Sequence, residues 1–386
     1  MRKILFVTGI RSEYDVLFPV IKATQQHRDF EASLCVTGAH LSPIYGYTYR
    51  EVLKDGFPIA GTIENLLNSD SPAGRVKSAA IQLASLVDLL GEVRPHFVVS
   101  PMDREEAITV ALAGAYMKIP VVHIGGGETA EDGNIDNAIR HAVTKLSHLH
   151  MVGTQRSAER VIQLGEEPWR VHNVGDPALD RFTIVPQLSD AEFWTRLGYG
   201  PIDGPFAILI QHPILTQADE AGKQAQITLG ALAKLDIPIF IGYPNSDPGS
   251  HLVIEAINQF AARHPQRFHV YRNLPRELYV NLLRRAAVLA GNSSSGLIEA
   301  PLLRLPVVNI GDRQRGREHT RNVQFVGHDE AAIIDAMRKA LQDTDYRRSL
   351  QTCDVPYGDG HAGQRIVEIL ARHADDPRLL IKRNTF

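Results

Sequence analysis

Several short segments of this chain place side chains capable of chemistry directly after apolar runs. The first is Gly291-Asn292-Ser293-Ser294-Ser295-Gly296, which follows Val288–Ala290 and precedes a helix expected over Gly296–Leu303. Successive backbone N–H groups and seryl hydroxyls in such a turn can cradle a phosphate. The loop lacks the Lys-Ser/Thr of a P-loop and does not follow the GxGxxG pattern. A plain strand–helix turn capped by serine fits the same residues. Glu299, about one turn into the expected helix, suits a ribose hydroxyl or a solvated helix face.

The other candidates share the post-strand position. Arg11, in Gly9-Ile10-Arg11-Ser12-Glu13-Tyr14, could reach a phosphate in bidentate fashion or lie on the surface. Asp103, after Phe97–Ser100, is placed for acid–base work or for capping the next helix. Three glycines, Gly125 to Gly127, precede Glu128, with Glu131, Asp132 and Asp136 close behind. Crowded carboxylates can have their pKa values driven apart, which suits proton transfer in opposite directions. Asp136 could equally cap the helical pattern Ala138–Leu146, and Glu131 and Asp132 read as an acidic surface loop. His212 ends the run Phe206–Ile210, where an imidazole could bind phosphate or move a proton. Asn245 and Asp247 sit in a turn-rich loop after Ile237–Ile241. Arg313 opens a basic run after Val307–Ile310. His148 and His150 flank one residue with no convincing third ligand, so no metal site is expected.

Stepping along the chain, strands are expected at Ile4–Val7, Ala32–Val36, Phe97–Ser100, Val121–Ile124 and Leu149–Val152. A second series follows at Phe206–Ile210, Ile237–Ile241, Phe268–Tyr271, Val288–Ala290 and Val307–Ile310. Amphipathic stretches lie between them, such as Val76–Leu90 with apolar residues at 76, 79, 80, 83, 86, 87 and 90. Continuous apolar strands alternating with such helices indicate parallel sheets covered on both faces. The expected organisation is therefore α/β, with one domain at 1–180 and a second at 181–362. A final helix, Gly363–His373, carries Ile366, Ile369 and Leu370 on one face. The last residues, Pro377–Phe386, carry too little pattern to place.

At 386 residues the chain exceeds what one core usually supports. Its formal net charge of -3 speaks against a nucleic-acid binder. Cys35 and Cys353, its two cysteines, make no disulfide framework, which suits the cytoplasm. The apolar start stops at Gly9, too short for a signal peptide core, and no stretch approaches a membrane span.

Taken in order, these segments resemble the hydrolysing UDP-N-acetylglucosamine 2-epimerase family, on its sialic-acid and legionaminic-acid branch. The residues that carry the resemblance are Arg11–Asp15, Thr37–Pro43, Ile135-Asp136 with Ile139–His148, Pro244–Gly249, Gly291–Pro301 and Asn309–Arg317. The resemblance implies a GT-B fold: two Rossmann-like domains with parallel sheets facing a central cleft, and the last helix packed back on the first domain. It implies that Arg11, Ser293, Ser294, Ser295 and Gly296 hold a nucleoside diphosphate and that Glu299 binds ribose. Asp103, Asp136, His212 and Glu128 become the catalytic candidates, with His40, Asn245, Asp247 and Arg313 as sugar or cleft contacts. The implied substrate is a UDP-linked hexosamine, UDP-N-acetylglucosamine or a 2,4-diacetamido relative. The implied product is the free 2-epimer, formed through a glycal without a cofactor, in a homodimer. Much of the family has a glutamate at the position of Gly125 and a glycine at that of Met102. Glu128 or Glu131 would then replace the missing carboxylate, or the substrate differs. A GT-B glycosyltransferase, a nucleotide-sugar hydrolase without C2 exchange, and a non-catalytic nucleotide-sugar binder are the competing readings.

Overall fold

The computed structural model describes residues 1–67, 71–129, 135–245 and 247–385. They form two compact units. The first comprises 1–128, 135–181 and the chain from Tyr357 onward; the second comprises Thr129 and Phe182–Pro356.

The first unit is built on seven parallel strands: β1 (Arg2–Thr8), β2 (Phe30–Thr37), β3 (Ile59–Ile63), β4 (Phe97–Pro101), β5 (Val121–Ile124), β6 (Leu149–Val152) and β7 (Val171–Asn173). They run in the order β3-β2-β1-β4-β5-β6-β7. The second unit holds β8 (Ala207–Ile210), β9 (Ile239–Gly242), β10 (Phe268–Tyr271), β11 (Val288–Gly291), β12 (Val307–Ile310) and β13 (Val323–Val326), ordered β10-β9-β8-β11-β12-β13. All pairings in both sheets are parallel. Each sheet therefore reverses its winding once, between β1 and β4 and between β8 and β11. Open α/β sheets bind ligands at the carboxyl ends of the strands that flank such a switch. Thr8-Gly9 and Pro101–Asp103 flank the first, and Gln211-His212 and Asn292 the second.

The central strands are buried throughout, as continuous apolar runs require in a sheet covered on both faces. Leu5, Val7 and Val98 pack with Leu86, Leu90 and Val110 in the first unit. In the second, Leu209, Ile241 and Val308 meet Leu229, Leu232, Ile333 and Met337. Ile208, Phe240 and Leu289 belong to a separate cluster with Phe193, Trp194, Leu282 and Leu283. Strands β3, β7 and β13 were not expected from the sequence. Each lies at a sheet edge and is largely half-exposed, so it carries no continuous apolar run. The helix expected over Gly296–Leu303 is only Ser295–Ile298. Pro301 cannot supply the N–H that would continue it, and the chain turns at Arg304 with φ +55.

The helix Ala362–His373 packs on Arg11–Gln26 within the first unit. The Asp180 carboxylate accepts the N–H groups of Ala362 at 2.9 Å and Gly363 at 2.7 Å. A Cβ on Gly363 would press on the Pro19 backbone. The segment beyond it is held by cations reaching carbonyls rather than by apolar packing. Buried Arg170 donates to the carbonyls of Arg378, Leu379 and Ile381 at 2.8 to 2.9 Å. Lys382 donates to the carbonyls of Lys145 and Ser147 and pairs with Glu166 at 2.7 Å. Glu166 is fully buried and also receives His150 at 2.9 Å and Lys145 at 2.7 Å. Among the described residues, no helix is long and apolar enough to cross a membrane.

Burial pushes the Glu166 carboxyl up, but hydrogen bonds from His150, Lys145 and Lys382 outweigh it and hold the group at about 2. Its stabilising contribution is thus present above the unfolded carboxylate value of 4.5 and is lost as pH falls from there toward 2. Replacing Lys382 by Met removes one partner of a buried carboxylate and should cost about 3 kcal/mol at neutral pH. The urea midpoint of the variant against wild type measures this, and an unchanged midpoint would contradict it.

Candidate functional site

In the second unit the tips of β8 and β11 are locked together. Gly291 ends β11 at φ +110, and a Cβ there would collide with the Ile210 carbonyl oxygen, so only glycine fits. Asn292 then closes a clamp. Its backbone N–H donates to Ile210 O at 3.0 Å, its Oδ1 accepts the His212 N–H at 2.7 Å, and its Nδ2 donates to His212 O at 2.9 Å. The Asn292 carbonyl receives Gln314 Nε2 at 2.9 Å and Arg313 Nη1 at 3.3 Å.

The serines differ in their duties. The Ser295 N–H donates to Ser293 Oγ at 3.3 Å and the Gly296 N–H to Ser293 O at 3.1 Å. The N–H groups of Ser293 and Ser294 meet no acceptor among the described residues. These two partly exposed residues retain donors for an anion. Ser295 is buried, its hydroxyl donates to Glu299, and Tyr279 OH lies 2.9 Å away. Glu299 is not a solvated helix residue: one oxygen pairs with Arg276, the other accepts from Ser295. Each oxygen keeps a further lone pair for a hydroxyl. Gly296 lies so close to β12 that a Cβ would press on Val307.

His212 has a defined tautomer. Its Nδ1 accepts the Asn245 backbone N–H at 3.0 Å, so the ring hydrogen resides on Nε2. Burial, helped by the charge of Arg313, pulls its pKa down to about 3. The imidazole is therefore a neutral N–H donor at physiological pH. Asn245 and Asp247 pair through their side chains.

In the first unit, Gly9 follows β1 with its N–H on Glu13 Oε2 at 2.7 Å, and a Cβ there would strike Glu106. Arg11 opens the next helix, 3.8 Å from Glu51. His40 is tied into the first unit by two threonines. It is 1% exposed, with Nε2 3.0 Å from Thr8 Oγ1 and Nδ1 2.7 Å from Thr48 Oγ1. Asp103 forms a close ion pair with buried Arg140. Asp136, in the first turn of Ile135–Leu146, pairs with Arg75 at 3.2 Å. Arg75 also holds Glu105 at 2.7 Å, and Arg104 links Glu105 to Glu106. Burial raises the Asp136 pKa, opposed by Arg75 and Arg104. Buried Glu13 is driven to about 8 by burial and by the charge of Glu106.

A Cβ on Gly127, which has φ +79, would collide with the Ser157 carbonyl, so the turn before Glu128 requires glycine. Glu128 Oε1 accepts Ser157 Oγ at 2.7 Å, Oε2 accepts Tyr357 OH at 3.2 Å, and its carbonyl accepts Arg140 at 2.9 Å. Gly125 has φ +84, and Met102 supplies the nearest atoms to its missing Cβ, at 3.8 Å. Glu131, Asp132 and Ser246 lie outside the described residues. Sequence reading did not single out Asn292, Arg140, Arg75, Glu13 or Glu106. Of these only Asn292, at a strand tip, carried the positional signal used for the others.

The model of a family described as UDP-N-acetylglucosamine 2-epimerase matches residues 22–371. The chain is 35% identical over 386 residues to the UDP-N,N'-diacetylbacillosamine 2-epimerase (hydrolyzing) of Legionella pneumophila, with all of both chains covered. It belongs to the UDP-N-acetylglucosamine 2-epimerase family. A second relative of the family is the GDP/UDP-N,N'-diacetylbacillosamine 2-epimerase (hydrolyzing) of Campylobacter jejuni, 33% identical over 83% of each chain. The crystal structure of UDP-GlcNAc 2-epimerase from Neisseria meningitidis bound to UDP-GlcNAc aligns with a TM-score of 0.82. It covers 96% of this chain and 100% of that one at 21% identity, which shows the same GT-B-like fold of two Rossmann-like domains.

The His212 tautomer is directly measurable. In nitrogen-15 NMR, Nδ1 should be unprotonated and Nε2 protonated, with no titration from about pH 5 to 8 given an ordinary histidine value near 6.5. An imidazolium signal at pH 6 would contradict the assignment.

Proposed function

We propose that this chain is a hydrolysing 2-epimerase of nucleotide-linked 2-acetamido sugars. A UDP-linked 2,4-diacetamido sugar is the first candidate substrate and UDP-N-acetylglucosamine the second. The names of the relatives at 35% and 33% identity support that order, as does the 31% identity to a UDP-N-acetylglucosamine 2-epimerase of Neisseria meningitidis. They do not favour a glycosyltransferase, a simple hydrolase or a non-catalytic binder. The observation that carries the chemistry is the contrast between two carboxylates of one unit: Asp103 is locked to Arg140, whereas burial biases Asp136 toward its protonated form.

In this reading the diphosphate is held by the N–H groups of Ser293 and Ser294, the Ser294 hydroxyl and His212 Nε2–H, with Arg11 and Arg313 adding charge. Gly296 lets the loop sit against β12, and Glu299 accepts from ribose. Asp103 takes the C2 proton as the C1–O bond breaks, and the electron pair leaves with the nucleoside diphosphate. Hydrogen bonds to the departing phosphate lower the barrier because negative charge grows there. Asp136 then delivers a proton to the opposite face of C2 of the glycal, while water, oriented by Glu128, adds its hydroxyl at C1 and gives its proton to the Glu128 carboxylate; proton exchange of Asp103, Asp136 and Glu128 with solvent resets the site. The sum is nucleotide-sugar plus water giving the free 2-epimer, of N-acetylmannosamine type, and nucleoside diphosphate. The same reading takes the protein as a cytoplasmic homodimer that supplies a sialic-acid-type synthesis and needs no cofactor.

Incubation with UDP-N-acetylglucosamine and with the UDP-linked 2,4-diacetamido sugar in D2O, followed by NMR, tests the reading. The expected product is a free 2-epimer deuterated at C2. Release of UDP without C2 exchange on both substrates would sink it. Asp136→Asn should lower kcat by roughly 100-fold or more, the usual worth of acid–base catalysis. Its UDP affinity, measured by calorimetry, should stay near that of wild type; full activity would leave Asp136 a helix residue only.

A further inference from the structure

We infer that Arg140 is the positioning residue of the site, fixing the Asp103 carboxylate against the turn that carries Glu128; this rests on the epimerase reading above. Arg140 is 4% exposed. One guanidinium nitrogen pairs with Asp103, and the other donates to the Glu128 carbonyl at 2.9 Å. Burying a guanidinium against a carboxylate is rarely a net stabiliser, and apolar residues of similar volume often serve stability as well. What the fork supplies is geometry: two directed hydrogen bonds from one rigid plane.

The backbone before Asp103 shows why geometry matters there. Met102 sits at φ +61, a conformation that side-chain-bearing residues seldom adopt. It is held on both sides. Its N–H donates to Ile124 O at 2.8 Å, and its carbonyl lies 2.8 Å from His123 Nε2. A carbonyl can only accept, so the His123 hydrogen is on Nε2, and Nδ1 lies 3.2 Å from Thr144 Oγ1, whose hydroxyl is also 3.1 Å from Arg140 O. Burial keeps His123 neutral, with its pKa near 3. Thr144 is one helical turn beyond Arg140 in Ile135–Leu146, so the two project from the same face. One helix thus holds the β4 tip twice: Thr144, through His123, at the Met102 carbonyl, and Arg140 at the Asp103 carboxylate. With the backbone secured by the first contact, the second decides where the carboxylate points. Neighbouring Arg104 cannot substitute, because its charge is committed to Glu105 and Glu106. The Glu128 carboxylate is held independently by Ser157 and Tyr357, so losing Arg140 releases Asp103 and leaves Glu128 in place.

Arg140→Met should lower kcat by about 100-fold, as for loss of a proton-transfer group, with KM and UDP affinity unchanged. Arg140→Lys, which keeps the charge without the fork, should fall between that variant and wild type. Sub-denaturing guanidinium should restore part of the activity of Arg140→Ala. A further readout needs no substrate: the carbon-13 titration of the Asp103 carboxyl should move to higher pH in Arg140→Met, because a neighbouring cation has been removed. If wild type turns over no nucleotide-sugar, the epimerase reading fails, while the Asp103 titration still judges the Arg140 contact. Folded Arg140→Met with wild-type kcat and an unmoved Asp103 titration overturns the proposal. So does a loss shared between kcat, UDP affinity and thermal midpoint that guanidinium does not rescue, since that would mark a merely structural arginine.

Discussion

A parallel sheet delivers the carboxyl ends of all its strands to one edge, and each sheet here reverses its winding once along that edge. Everything chemical follows from what can be packed into those two reversals. At β8 and β11 the gap is closed so tightly that Gly291 has no room for a side chain. Asn292 then ties both backbone groups of His212 to the start of the serine loop. The loop and the imidazole are consequently tied into one hydrogen-bonded unit. Such preorganisation is what makes hydrogen-bond donors effective toward charge that develops during a reaction.

The first unit solves a different problem, because its reversal is crowded with acids. Glu105, Glu106 and Asp136 share two arginines, Arg75 and Arg104, in one continuous chain of contacts, and buried Glu13 feels the charges of Glu106 and Arg104. Two cations cannot neutralise four buried or half-buried carboxylates. The excess is relieved by holding protons, most clearly at Glu13, where burial and Glu106 act together. Asp103 stands apart from this chain because it has Arg140 to itself among the described ion pairs. The ends of neighbouring strands therefore hold carboxyl groups in different surroundings, Asp103 against its own arginine and Glu13 and Asp136 pushed upward by burial.

The architecture was legible in the sequence because most of the strands are apolar runs buried on both faces, and the edge strand β10 was still marked by Phe268, Val270 and Tyr271. The three that escaped, β3, β7 and β13, are edge strands whose half-exposed residues leave no such trace. Position after a strand located Asp103, His212 and the serine loop. It could not tell that Ser295 turns inward to Glu299, or that His40 spends both ring nitrogens on threonines. Those outcomes depend on partners tens of residues away, Tyr279 and Arg276 for the first and Thr8 for the second. Arg140 was hidden for the same reason: its partner lies 37 positions back in the chain. The C-terminal residues after Pro377 are the extreme case. Their order comes from Arg170 and Lys382 bonding backbone carbonyls, an interaction that leaves no side-chain pattern at the receiving end.

That C-terminal anchorage also sets an order of assembly. Every residue of the second unit precedes Tyr357, so all of them are available once Pro356 has been synthesised. The first unit begins earlier on the ribosome, yet it lacks the helix Ala362–His373, the carbonyls that Arg170 binds and the amine that neutralises Glu166 until the final residues emerge. The half of the protein made first is thus the half completed last. During that interval the surface of the helix Arg11–Gln26 and a buried acid wait uncovered, and this is the stage at which a nascent chain would be most exposed to misassembly.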